Sequence, residues 1–113
     1  MIVDDDADMR EYIRQCLVPL DYELVDAADG AAALSEVMDR LPSTPALVVT
    51  DIVMPRMDGL ALKQAMRHET SLSSVPVLLI TGEARRFDHG PALRKPFNGR
   101  RLRAAVEAMI GRS

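Results

Sequence analysis

A doubly wound α/β sheet with parallel strands is the fold class this chain predicts, and three observations predict it. Short apolar runs alternate with stretches of helical periodicity along the 113 residues. The strand runs are apolar throughout instead of alternating with polar residues, which implies burial on both faces. Acidic or hydroxyl residues follow directly on several of these runs, at the carboxyl ends where such sheets bind ligands.

Ile2 and Val3 form the first run, which stops abruptly at Asp4, Asp5 and Asp6. Met9, Ile13, Cys16, Leu17 and Leu20 then recur at helical spacing, and Pro19 with Asp21 ends that helix. Leu24, Val25 and Ala27 predict a second strand. Asp29 is the expected N-cap of the next helix, whose stripe is Leu34, Val37, Met38 and Leu41 before Pro42 and Pro45 interrupt it. Leu47, Val48 and Val49 run into Thr50 and Asp51 as a third strand. A loop from Ile52 to Asp58 follows, and a helix opening near Gly59 turns Leu62, Ala65 and Met66 inward. Pro76 introduces Val77 to Ile80, a fourth strand closed by Thr81 and Gly82. Leu102, Ala105, Val106, Met109 and Ile110 mark the closing helix. There is no internal repeat or low-complexity segment, so residues 1–113 are expected to form one domain.

Composition narrows the function classes. Hydrophobic residues make up 48% and charged residues 27%, a globular and not a disordered profile. The single cysteine, Cys16, excludes an internal disulfide framework and reads as a small core residue in a reducing compartment. The longest aliphatic run is far short of the ~18 residues of a membrane span. The acidic N-terminus is unlike a signal peptide, so a cytoplasmic location without membrane insertion is expected. The net charge of -3 hides an asymmetry: residues 1–83 carry 6 basic and 15 acidic side chains, residues 84–113 carry 8 and 2. With aromatic residues at 4% and no Trp, there is little for bases to stack on, and direct nucleic-acid binding is not expected.

The chemistry lies in the strand-end acids. Carboxylates brought together there repel by roughly 4 kcal/mol per pair at ~4 Å and an effective dielectric of ~20, so the cluster calls for a cation. An all-oxygen donor set with water completing the shell suits Mg²⁺. A solvated turn is the bland alternative for Asp4, Asp5 and Asp6. A calcium loop starting Asp4, Asp6, Asp8 fails because Met9 replaces the turn glycine and Gln15 the closing glutamate.

Together with Asp51, Thr81 and Lys95, these residues resemble the receiver domain of two-component response regulators. The motifs are Val3-Asp4-Asp5-Asp6, Asp51-Ile52-Val53-Met54-Pro55-Arg56-Met57-Asp58-Gly59, Thr81-Gly82-Glu83-Ala84 and Leu93-Arg94-Lys95-Pro96-Phe97. Each is common alone; four in this order are specific, and they span essentially the whole chain. The resemblance implies a five-stranded flavodoxin-like receiver fold. It further implies Asp51 as phosphoacceptor, Asp5 as a direct Mg²⁺ ligand, Asp4 as a ligand through water, and the backbone carbonyl of Val53 as a third protein contact. Lys95, with its bond to Pro96 held cis, and the Thr81 hydroxyl would hold phosphoryl oxygens. The implied donor is a phosphohistidine on a histidine kinase or a histidine phosphotransfer protein. The product is a switch that modifies itself and not a turnover enzyme. His68 and His89 read as solvated, and Met54, Met57 and Met66 as packing residues.

Two departures stand out. Only 13 residues separate Thr81 from Lys95; with Ala92 to Arg94 as a fifth strand, 10 remain for a crossover that usually needs a dozen or more. Gly90 and Pro91 further oppose a helix, so the fourth helix of the resemblance is expected to be absent or much shortened. The aromatic residue that many receivers carry three places before the lysine is Ala92 here, so read-out through a ring at that place is not available. Arg85, Arg86, Arg100, Arg101 and Arg103 fall on the usual output face. They are either a solvated helix surface or a docking surface for an acidic partner or a second protomer. The short first strand also fits a receiver cut from a longer protein such as a hybrid kinase, with a stand-alone receiver that passes phosphate along a relay as the equal alternative. Competing functions are a pseudo-receiver that only binds proteins and a Mg²⁺-dependent phosphohydrolase of the haloacid dehalogenase class. The latter wants a second Asp two residues after its nucleophile, where Val53 stands.

Overall fold

The computed structural model describes residues 1–82 and 90–111. Strands β1 (Ile2–Val3), β2 (Asp26–Ala27), β3 (Val48–Asp51), β4 (Val77–Thr81) and β5 (Ala92–Arg94) form one sheet, parallel throughout, in the order β2-β1-β3-β4-β5. Among the described residues lie four α-helices: α1 (Ala7–Leu17), α2 (Gly30–Asp39), α3 (Gly59–His68) and α4 (Gly99–Ile110). The last of these is the closing helix of the sequence pattern. The expected loss or shortening of a helix between β4 and β5 concerns residues 83–89, outside the described residues. No helix among those described is long and apolar enough to cross a membrane.

Burial on both faces of the sheet explains the unbroken apolar runs. Ile2, Val49, Leu78, Ile80 and Leu93 pack with Ile13, Cys16 and Leu17 of α1 and Leu102 and Val106 of α4. Their neighbours in sequence, Val3, Val48, Val77 and Leu79, pack on the opposite side with Ala33 and Val37 of α2 and Leu62 and Met66 of α3. Successive strand residues point to opposite faces, so each run feeds two cores at once. Each fully buried Leu or Ile contributes roughly 1.5–3 kcal/mol.

Helix starts are set by side-chain caps. Asp6, Asp29, Asp58 and Asn98, all in extended conformation, accept the N–H groups of Asp8, Ala32, Ala61 and Arg101 at 2.8–2.9 Å. Each such cap stabilises its helix by about 1 kcal/mol. Asp29 was expected in this role. Asp6 is a cap and not a member of the acid cluster proper.

The second strand is shorter than its apolar pattern suggests. Leu24, Val25 and Ala27 predicted it, yet the ladder covers only Asp26 and Ala27, because its single neighbour β1 offers only Ile2 and Val3 to pair with. The Ile2 N–H still reaches the Val25 carbonyl at 2.8 Å, and Leu24 packs on the α1–α4 core without ladder bonds of its own.

Candidate functional site

At the carboxyl edge of the sheet, β1 delivers Asp4 and Asp5 and β3 delivers Asp51. Carboxylate oxygens of the three lie within 4.8 Å of one another. Lys95, just past β5, donates from Nζ to Asp51 Oδ2 at 3.4 Å. The Lys95–Pro96 bond is cis, as the resemblance implies. Thr81 ends β4, buried, and its carbonyl accepts the Lys95 backbone N–H at 2.7 Å, tying the two strand ends together. Val53 stands two residues beyond Asp51 in the loop and is 79% exposed.

Asp4 is the electrostatic anomaly. It is 2% exposed, which removes the solvated-turn reading for this residue, whereas Asp5 and Asp6 are exposed. One oxygen, Oδ1, accepts the Asp6 N–H at 2.9 Å; the other, Oδ2, is buried without a hydrogen-bond partner among the described residues. Desolvation pushes its carboxyl above the usual range, the nearby charges of Asp51 and Asp5 add to this, and the Asp6 N–H and Lys95 oppose it. A buried carboxylate with one unpaired oxygen, grouped with two further carboxylates, is what a hard divalent cation would satisfy, so the donor set fits Mg²⁺.

Several residues support the site through contacts that only the folded chain creates. Arg10, one turn into α1, donates from Nη1 to the Asp4 carbonyl at 2.7 Å and pairs through Nε with Asp26 at 3.4 Å. Arg14 pairs with the other oxygen of Asp26 at 3.2 Å. Gly59 must be glycine, because a Cβ there would run into the Asp51 carbonyl, and its N–H donates to Ile52 O at 2.9 Å. Arg56, in the loop after Asp51, donates from Nε at 2.9 Å and Nη2 at 2.6 Å to Asp29 Oδ2. Tyr12 donates its hydroxyl to the Phe97 carbonyl at 3.1 Å, with the rings 5.9 Å apart, and so links α1 to the segment after Lys95.

Other singled-out residues fall as follows. Cys16, Met54 and Met66 are buried core residues, Met57 packs against the core, and His68 is exposed at the end of α3. Ala92 opens β5, exposed and without a ring. Of the α4 arginines, Arg100 and Arg101 are exposed, but Arg103 donates to the Cys16 carbonyl at 3.1 Å and thus clasps α1. His89, Arg85 and Arg86 lie outside the described residues.

Comparison with known proteins agrees with this geometry. The family described as response regulator receiver domain matches residues 1–107. The chain is similar to the sensor histidine kinase TmoS of Ectopseudomonas mendocina, 35% identical over 97% of this chain and 12% of the kinase. Among solved structures, the receiver domain of NtrX from Brucella abortus superposes with a TM-score of 0.83 at 30% identity, covering 99% of this chain and 98% of that one. The chemotaxis response regulator CheY4 of Vibrio cholerae gives 0.85 at 27%, covering 96% and 94%. The chain spans less than half the length of these curated relatives, 12% of the kinase and 47% of the probable transcriptional regulator ycf27 of Pyropia yezoensis. With the family model matching residues 1–107, nearly its whole length, the chain belongs to the response regulator receiver domain family of two-component signalling.

Proposed function

We propose that this chain takes a phosphoryl group from a phosphohistidine donor onto Asp51 in a Mg²⁺-dependent reaction and acts as a signalling switch or relay module. The observation that carries the proposal is the convergence of Asp4, Asp5 and Asp51 within 4.8 Å, with Lys95 on the Asp51 carboxylate. Asp4, Asp5 and Asp51 would hold the ion, with the Val53 carbonyl as the further contact that the family resemblance implies. Bound there, Mg²⁺ supplies the positive charge that lets an anionic phosphoryl group approach three carboxylates.

The rest is done by the chain. The Asp51 carboxylate attacks phosphorus in line; an O–P bond forms as the P–N bond of the donor imidazole breaks, and the imidazole leaves with that electron pair and takes up a proton. Lys95 and the Thr81 hydroxyl, from neighbouring strand ends, would donate to phosphoryl oxygens. Water later hydrolyses the acyl phosphate, so the domain is consumed and reset by its own modification and does not turn over an external substrate. The partner is a histidine kinase or a histidine phosphotransfer protein, in the cytoplasm.

Incubation with acetyl phosphate and Mg²⁺, followed by intact-mass measurement, tests the proposal. One phosphate should add to the wild-type chain and none to Asp51→Asn or to wild type in EDTA. Rapid release of inorganic phosphate without a stable adduct would indicate a hydrolase, and no reaction at all a protein-binding pseudo-receiver.

A further inference from the structure

The loop between β3 and α3 carries Val53, and its two halves are held differently. Near Asp51 it is fixed by the sheet and by α3: the Ile52 N–H donates to Ile80 O at 3.2 Å, the Gly59 N–H to Ile52 O at 2.9 Å, and Met54 is buried. The outer half, residues 55–57, is fastened to a different element, the start of α2. There the Gly30 N–H donates to Met57 O at 3.1 Å, and a Cβ on Gly30 would collide with Met57, so only glycine permits this approach. Arg56 sits at φ +66, a left-handed conformation that costs a non-glycine residue energy and persists only where surroundings enforce it. What enforces it is the guanidinium, which turns both Nε and Nη2 onto Asp29 Oδ2.

Asp29 is suited to be the fixed end. Its side chain is only 8% exposed while that of Arg56 is 68% exposed, and its other oxygen caps α2 at Ala32. An exposed ion pair usually contributes little, but two charge-assisted donors converging on one buried carboxylate oxygen form the stronger kind. Val53, an exposed residue, is therefore held between two anchors, one on the sheet and one on α2.

We infer that the Arg56–Asp29 pair is a positioning clamp that sets the backbone of the phosphoacceptor loop for cation binding, although neither side chain reaches the acid cluster as a ligand. This rests on the receiver reading above, in which the Val53 carbonyl contacts Mg²⁺. Partners that orient metal ligands from behind typically govern metal affinity by about 10–100-fold.

The test is calorimetric titration of Mg²⁺ into wild type, Arg56→Gly, Asp29→Asn, the double variant and Arg56→Lys, with amide exchange at Gly30 followed in the metal-free proteins. Arg56→Gly accepts the positive φ, and Asp29→Asn keeps a capping oxygen, so neither should unfold the domain. Each single variant should weaken Mg²⁺ binding roughly tenfold and speed Gly30 exchange. The double variant should do no worse than the singles, as expected for one shared interaction. Arg56→Lys, a point charge without the fork, should fall between. Unchanged Mg²⁺ affinity in both single variants, with wild type binding normally, overturns the clamp and leaves the receiver reading intact. No Mg²⁺ binding by wild type overturns both.

Discussion

Replacing Asp4 by Asn should make the metal-free protein more stable while impairing the site. At 4.8 Å and an effective dielectric of about 20, two like charges repel by roughly 3.5 kcal/mol, and Asp4 faces both Asp51 and Asp5 at no more than that distance. Asp5 is exposed, which screens its share, and Lys95 offsets part of the rest. Asn keeps an oxygen for the Asp6 N–H and turns an amide donor toward the other carboxylates in place of the unpaired Oδ2. A net gain of about 1–3 kcal/mol is expected, or about 4 °C in Tm per kcal/mol for a domain of this size. Thermal unfolding followed by circular dichroism, in EDTA and in Mg²⁺, checks it. Saturation at 100 times Kd returns about 2.7 kcal/mol to wild type and less to the variant, so the gap should narrow or reverse with metal. The pH dependence has a definite sign. A carboxyl whose folded pKa is raised favours the folded state when protonated, and that advantage is lost as pH rises through the folded value. The variant's gain should therefore be full above the raised folded value and vanish below the ordinary Asp range near ~3.9. An Asp4→Asn protein that melts at or below the wild-type temperature in EDTA at pH 7 would refute the reasoning.

The remaining predictions concern the supports of the site. The Ala32 N–H and Arg56 hold the Asp29 carboxyl below the usual range; its contribution is present above the unfolded pKa and lost as pH falls through the lowered folded value. Acid titration followed by NMR should accordingly show the start of α2 loosening only below the ordinary Asp range. Gly59→Ala forces a Cβ against the Asp51 carbonyl and should destabilise by about 1–3 kcal/mol in urea denaturation, with slower phosphorylation. Leu102→Ala, at a position with no exposed surface between α4 and the sheet, should cost about 2–5 kcal/mol in the same assay without changing Mg²⁺ affinity. Arg103→Glu should lower Tm in thermal unfolding, because Arg103 holds the Cys16 carbonyl, whereas Arg100→Glu with Arg101→Glu, at exposed positions of α4, should leave Tm unchanged.

Strand positions and the acid cluster were legible because each follows from a local rule. Apolar runs locate buried strands, and the residue after such a run stands at the sheet edge whatever its partners. Asp4, Asp5, Asp51 and Thr81 could thus be placed one strand at a time, whereas Lys95 was placed only by the family resemblance. Ala92 to Arg94 was found by counting back from Lys95. The supporting contacts were not legible, since each joins residues whose adjacency only the finished fold creates: Arg56 with Asp29, Arg10 with Asp26, Tyr12 with Phe97. The extent of β2 was hidden for a related reason. Its ladder is limited by the length of β1, a property of the neighbour and not of the segment itself.

Asp51 and Lys95 lie 44 residues apart, and Asp4 belongs to the opposite end of the chain. During synthesis the acids therefore leave the ribosome long before the one lysine that faces them. In the folded sheet the attraction of the acidic edge for Lys95 favours β5 in the register that pairs Thr81 with Arg94. No short peptide lifted from this protein would reproduce the arrangement, because its two signs meet only when the last strand has been laid down.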